Sequence, residues 1–342
     1  MQAILDSYNL EPGDVIRIDT GRYYLSGNIA IAAEDSGTSA KPLVIEGSPY
    51  GVTLDRGDAA PGSCGIQIDG ASYVTIRTAS STKYAAAQRW MRVTGAYDGV
   101  YVAGDHATLR GLDATGNLHS AISVVGHAAD YATIENSLAR GSSGADGAGI
   151  RIEQADSVTV RNATMVGNAK YALYVADALN PLLRDSILRA DGAGAYSIYC
   201  SNVAGGSSDY NDMYPTAGAN VAYYEGDRPI LADWNAATGQ DANSISKDPQ
   251  FADLAGGDLH LKSNGRVSLP AGTGGGRYDP ETNLPPLDPA AWAVDSVTSP
   301  GIDAGDPASA YAKEPAPSGG RGLGMRETSR MLTNSTLASR KP

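Results

Sequence analysis

Five short phrases recur along the middle of the chain: ATLRG, ATIEN, VTVRN, PLLRD and SDYND. Their central residues, Leu109, Ile134, Val160, Leu183 and Tyr210, are spaced by 25, 26, 23 and 27 residues. A second series, DGVYV, SAISV, AGIRI, YALYV, YSIYC and ANVAYY, runs between them. Its anchors are Val100, Ile122, Ile150, Leu173, Ile198 and Val221, spaced by 22, 28, 23, 25 and 23. A chain that repeats itself every two dozen residues builds stacked units, each burying its apolar face against the next. Within each phrase apolar and polar residues alternate at period two, which marks short strands with one buried and one exposed face. No 3.6-residue period survives, so helical repeats are excluded, and the leucine framework of a leucine-rich repeat is absent. Uneven spacing at constant strand phase places loops of variable length at one corner. The pattern specifies a parallel β-helix, an all-β solenoid.

Composition agrees. The 342 residues include 41 Gly, 18 Pro and 19 Tyr but one Phe, and 19% are charged, as suits a turn-rich solenoid. The net charge of −12 offers no general attraction to nucleic acid or anionic membrane. No apolar run approaches the roughly 18 residues of a membrane span. Cys64 and Cys200 belong to no metal-binding pattern and are expected as buried thiols, a disulfide being the alternative.

The phrase VTVRNATMVGNAKYALYV resembles the repeat of right-handed parallel β-helix proteins, the pectate-lyase-like superfamily, over residues 60–225. The opening EPGDVIRIDTGRYY resembles that family's start, where a short helix and the first strands cap the coil. The later run from SDYNDMY through SISKDPQFAD and GDLHL to SPGIDAGDP resembles the C-terminal segment of bacterial secreted or surface β-helix proteins. The resemblance implies a single-stranded right-handed solenoid. Residues 1–225 are expected to form the β-helix with its N-terminal cap, and 226–320 a Gly/Pro-rich segment that caps or wraps it through Trp234, Phe251 and Trp292. Residues 321–342 depart from the family's ending, which a shifted reading frame would restore, and are expected as a non-native or disordered tail. The first residues already read as folded chain, and a secreted or cell-surface protein whose leader lies outside this sequence is expected. Lyases, hydrolases, epimerases and non-catalytic adhesins share such motifs, so the resemblance speaks for fold before reaction.

Asn136, Asn162 and Asp185 follow successive strands at one position. They read as a structural corner of stacked side chains, since Asn tolerates left-handed backbone geometry.

Period two also assigns faces. In the second series Val100, Ile122, Ile150, Leu173 and Ile198 point inward; Tyr101, Ser123, Arg151, Tyr174 and Tyr199 point outward. Beside them on the same face fall Asp98, Ser120, Ala148, Tyr171 and Tyr196, with Lys170 and His119 at the loop edges. Coils about 4.8 Å apart turn these residues into columns. Aromatic faces and hydroxyls suit sugar rings, and arginine suits a carboxylate or sulfate. Tyr101, Tyr171, Tyr196 and Tyr199 are therefore candidate substrate-binding residues, against the alternative that tyrosines merely pack well on strands.

β-Elimination of a uronate needs a cation to neutralise the carboxylate, a base for the C5 proton and an acid for the leaving oxygen. Arg151 is the candidate cation, His119 or Lys170 the base, and Tyr174 the acid. Ca²⁺ is the one candidate cofactor, with Asp98, Asp146 and Glu153 as its ligands. The carboxylate pair of a glycoside hydrolase is not evident, nor are the signatures of β-helix polygalacturonases or alginate epimerases, a P-loop or a dinucleotide fingerprint. His106, His127 and His260 are scattered, and the first two are expected to be exposed turn residues.

The leading expectation is a monomeric lyase of an acidic, uronate-containing polysaccharide. A non-catalytic structural, glycan-binding or adhesin β-helix is the alternative, and a hydrolase or epimerase on the same fold a further one.

Overall fold

The computed structural model describes residues 1–79, 90–262, 296–301 and 304–306. After the helix Gln2–Ser7, whose Leu5 joins the core, the chain winds repeatedly through three parallel sheets in fixed order. The first and second sheets have eight strands each and the third has nine. Every neighbour within them is parallel except the last strand of the third, Asp227–Arg228, which turns back antiparallel on Asn220–Tyr223.

The repeat becomes columns of like residues. Ile16, Ile45, Ile76, Leu109, Ile134, Val160 and Leu183 stand in register down the inside of the first sheet. Ile66, Val100, Ile122, Ile150, Leu173 and Ile198 do so in the third. All are buried. Branched side chains on a pleated surface lose little rotamer freedom, and each burial stabilises by about 1.5–3 kcal/mol. Cys64 is buried and Cys200 partly so; both are free thiols, which burial pushes up to about 12.

Between the first and second sheets the chain turns through Gly111, Asn136, Asn162, Asp185 and Tyr210, all with φ between 49° and 64°. The left-handed corner read from Asn136, Asn162 and Asp185 is present; Asn136 N donates to Arg161 O (3.2 Å) and Asn162 N to Arg184 O (3.2 Å), while the Asp185 carboxylate accepts from Asp306 N (2.5 Å). The Asn136 carboxamide oxygen is buried without a partner, so this column is no amide ladder at that coil. Asn211, beside Tyr210 at the same corner, does form an amide rung, accepting from Ser186 N (3.1 Å) and donating to Leu183 O (3.4 Å), and two more lie at the corner between the second and third sheets. Asn117 accepts from Ala96 N (3.1 Å) and donates to Val93 O (3.4 Å). Asn168 does the same with Ser142 N (3.1 Å) and Ala139 O (3.1 Å). A side chain at Gly99 or Gly149 would strike these amides, at 2.5 and 2.7 Å respectively.

Beyond the coil, the helix Leu231–Thr238 brings Trp234 into the main core, its indole donating to Asp241 (2.8 Å). Phe251 is not a plug at the end of the coil. With Leu259 and Leu261 of the hairpin Phe251–Asp253/Asp258–Leu261 it packs outside the second sheet, on Leu138, Val166 and Ile187. These three residues are apolar on both sides of their strands' period, and the hairpin is what covers them. Trp292 and residues 321–342 lie outside the described residues. No described helix is long and apolar enough to cross a membrane.

Candidate functional site

The site residues stand on the outer face of the third sheet, on the strands Asp98–Ala103, Ser120–Val125, Ala148–Glu153, Tyr171–Leu179, Tyr196–Ala204 and Asn220–Tyr223. One column runs Tyr101, Ser123, Arg151, Tyr174, Tyr199, Tyr223. Its neighbour runs Asp98, Ser120, Ala148, Tyr171, Tyr196, Asn220. The face is thus aromatic at its later coils and carries small and charged groups at its earlier ones.

The tyrosines pack on each other. Tyr174 and Tyr199 stack at 5.1 Å and 4°, and Tyr199 and Tyr223 at 4.6 Å and 11°. The Arg151 guanidinium closes the pile, 4.1 Å from the Tyr174 ring centre. Tyr171 lies between, 5.1 Å from Tyr174 and 5.2 Å from Tyr199, and is buried. Both faces of Tyr174 and of Tyr199 are covered by a neighbouring ring or by Arg151, so at these two coils the platform for sugar faces expected from the sequence becomes a row of ring edges and hydroxyls. Burial, the largest cause in each case, raises Tyr101, Tyr174 and Tyr199 above the ordinary phenol value and, with the hydrogen bond to Asp227, pushes Tyr196 up to about 12. These phenols stay protonated near neutrality and can donate. Tyr101 is separated from the pile by the positions of Ser123 and Arg151.

Arg151 is not a bare outward cation. Only 9% of its side chain is exposed; NH2 donates to Asp146 O (3.1 Å), Nε to Ser120 Oγ (3.4 Å), and Glu153 lies 3.7 Å away. Lys170 donates to Asp146 Oδ1 (2.8 Å), and that bond holds its ammonium above the ordinary lysine value while lowering Asp146. A lysine so held is a poor base.

His119 differs. Its Nδ1 meets Asp98 Oδ1 at 2.9 Å, its ring stacks on Tyr97 at 4.7 Å and 10°, and Ser123 Oγ donates to the same Asp98 oxygen (2.9 Å). Asp98 is buried. With Nδ1 committed to the carboxylate, exchange of a proton with a ligand falls to Nε2. Ser120 Oγ, 3.3 Å from His119 Nδ1 and 3.4 Å from Arg151 Nε, links the imidazole to the guanidinium.

The three proposed Ca²⁺ ligands do not meet. Asp98 is taken by the His119 imidazole, Asp146 by Lys170 and Glu153 by Arg151, so each carboxylate already has its own side-chain partner. Among the described residues no metal-ligand group contains them. Sequence reasoning passed over Tyr223, which extends the pile one coil beyond Tyr199, Tyr97 beneath His119, and Asp227, which accepts from Tyr196 OH at 2.8 Å. Tyr223 was findable, since it follows Tyr199 by one repeat length.

Comparison with known proteins follows the fold. A pectate lyase structure is 14% identical, covering 94% of this chain and 89% of its own, with a TM-score of 0.45. An alginate lyase from Paenibacillus sp. is 15% identical over 65% of this chain and 94% of its own, with a TM-score of 0.41. The A-module of a mannuronan C-5 epimerase from Azotobacter vinelandii is 11% identical over 65% and 68%, with a TM-score of 0.34. Such distant likenesses carry no argument about reaction. No curated protein matches in sequence. Residues 64–230 match the family model described as "Right handed beta helix region", and the chain has the fold of a right-handed parallel β-helix.

Proposed function

We propose that the third-sheet face binds an acidic polysaccharide outside the cell and cleaves it by β-elimination at its His119 end. The observation that carries this reading is the His119–Asp98 hydrogen bond of 2.9 Å, placed one serine away from Arg151 at the head of the tyrosine row. A buried carboxylate orients the imidazole and stabilises its protonated form, the arrangement a general base needs. Nε2 takes the C5 proton of a uronate; the electrons left on carbon form the C4–C5 double bond, and the C4–oxygen bond breaks. Arg151 offsets the charge on the substrate carboxylate, and a protonated phenol, Tyr174 being nearest to Arg151, supplies the leaving oxygen's proton. The remaining tyrosine hydroxyls hold the flanking sugar units.

One observation favours a second reading, glycan binding without turnover. Arg151 and Lys170 already have carboxylate partners, so a substrate carboxylate must displace or share them. Incubation with alginate, pectate and glycosaminoglycans, with and without Ca²⁺, separates the two through the absorbance of unsaturated chain ends. Product from any of them that His119→Ala abolishes supports elimination. Saccharide binding without product supports the second reading and ends the first.

A further inference from the structure

At the corner where the third sheet passes to the first, another group of ligating side chains stands apart from the tyrosine face. His127 opens a single 3-10 turn, His127–Ala129, and Asp130 follows it. Asp156 occupies the place of Asp130 one coil later: His106 N donates to Asp130 O, and Tyr131 N to Asp156 O, each at 2.9 Å. One ligand atom from each of His127, Asp130 and Asp156 lies within 4.8 Å of the other two. The carboxylates are anchored, because Asp130 Oδ1 accepts from Asp156 N (2.7 Å) and Asp156 Oδ1 from Leu179 N (2.8 Å). Each keeps a second oxygen for another partner.

Like charges in register on adjacent strands repel. Elsewhere the chain cancels them with arginine: Glu46 lies between Arg17 and Arg77, Asp113 between Arg92 and Arg140, and Glu135 between Arg110 and Arg161. Asp105, the preceding member of the same column, has His106 Nδ1 at 2.8 Å. Among the described residues, no lysine or arginine pairs with Asp130 or Asp156; the group beside both is the His127 imidazole. Two uncompensated carboxylates and an imidazole form a donor set for a divalent ion of intermediate softness. Ca²⁺ favours six or more oxygens, whereas imidazole with carboxylates suits Zn²⁺.

We propose that His127, Asp130 and Asp156 bind a Zn²⁺ ion at this corner. The ion joins two successive coils, neutralises the stacked carboxylates, and keeps a coordination position open to water or a ligand hydroxyl. The site is independent of the tyrosine face and of any lyase activity.

The test uses the full chain after chelator treatment, titrated with ZnCl₂ alone in a calorimeter, with visible absorption of added Co²⁺ as a second readout. One ion per chain is expected, weakened at least about tenfold in His127→Ala and in Asp156→Asn and unchanged in His119→Ala. Asp156→Asn keeps the oxygen that accepts Leu179 N, and circular dichroism melts establish that each variant is folded. Absence of one-to-one binding overturns the proposal, as does affinity that survives both substitutions or is lost in His119→Ala. Tighter binding of Ca²⁺ than of Zn²⁺ overturns the assignment of the ion.

Discussion

The outer faces of the first and third sheets are made by the same winding, yet they treat charge in opposite ways. On the first sheet Arg17, Glu46 and Arg77 form one ion-paired run, Arg110, Glu135 and Arg161 another, and Arg184 pairs with Asp306 at 3.1 Å. In the two runs each charge is answered by a neighbouring coil, and Arg184 by the C-terminal segment, so the ion pairs of this face tie the coils to one another and to that segment. On the third sheet the column that elsewhere alternates charge carries tyrosines, and the charged groups gather at one end around Asp98, His119 and Arg151. Stacking alone gives neither face its role. The difference lies in whether a column is neutralised along its own length.

The largest effect that would sharpen this contrast is on turnover. His119→Ala is expected to lower the proposed lyase activity by about 10²–10⁴-fold, whereas Arg110→Ala on the first sheet leaves it unchanged, read as initial rates on the most responsive polyuronate. Equal losses in both would mean that the two faces do not differ in function.

The second sheet supplies an intermediate case through Asp212. It is fully buried, accepts from Lys247 N at 3.1 Å, and has its other oxygen unpartnered. Burial raises it from 3.8 to about 7. The folded chain therefore retains a proton that the unfolded chain releases, and stability falls as pH rises from about 4 to about 7, by at most about 1.4 kcal/mol per unit. Asp212→Asn should flatten that slope and stabilise the protein at pH 7, as denaturant midpoints across the range would show. A slope that persists in the variant assigns the proton elsewhere.

Smaller in energy is the first sheet's own contribution. Glu135→Ala leaves Arg110 and Arg161 facing each other's coils without the buried carboxylate between them, and should destabilise by about 2 kcal/mol. The melting temperature reads this, and added salt should reduce the difference. The smallest effect is expected of Tyr199→Phe. The ring pile survives, so stability should change by less than about 0.5 kcal/mol, while saccharide affinity falls a few-fold through the lost hydroxyl. Unchanged affinity would show that the row binds through its edges alone.

Much of this was legible in the residues and some was not, for identifiable reasons. Repeat spacing and period two placed Leu109, Ile134 and Val160 inside and Arg151, Tyr174 and Tyr199 in one outward column, because position in a coil follows from phase. The left-handed corner was readable at Asn136 and Asn162, whose side chains tolerate that conformation, but not at Tyr210, which has no such preference. Contacts set by rotamers escaped: that Tyr174 and Tyr199 face one another, and that Arg151 is covered by the Asp146 carbonyl and Glu153. Phe251 was misplaced because a long connection, not strand phase, decides where the hairpin lands. The His127 group was passed over because Asp130 and Asp156 are 26 residues apart, one repeat length, and nearness across a coil does not show as nearness in the chain.

The asparagine rungs have a consequence for how such a molecule can change. Asn117 and Asn168 carry the coil-to-coil bonding past the second corner with one side chain each, while Gly99 and Gly149 leave room for them. Continuity of the stack at those coils is thereby secured before the connecting loop begins. After each of these asparagines only two residues lead into the next strand, whereas the coil between them has Ser142 at that position and a longer loop, whose Asp146 carbonyl reaches Arg151. The rungs hold successive coils in register at this corner, so the outward residues of the strands that follow, Ser123, Arg151 and Tyr174 among them, stay aligned although the loops before them differ in length.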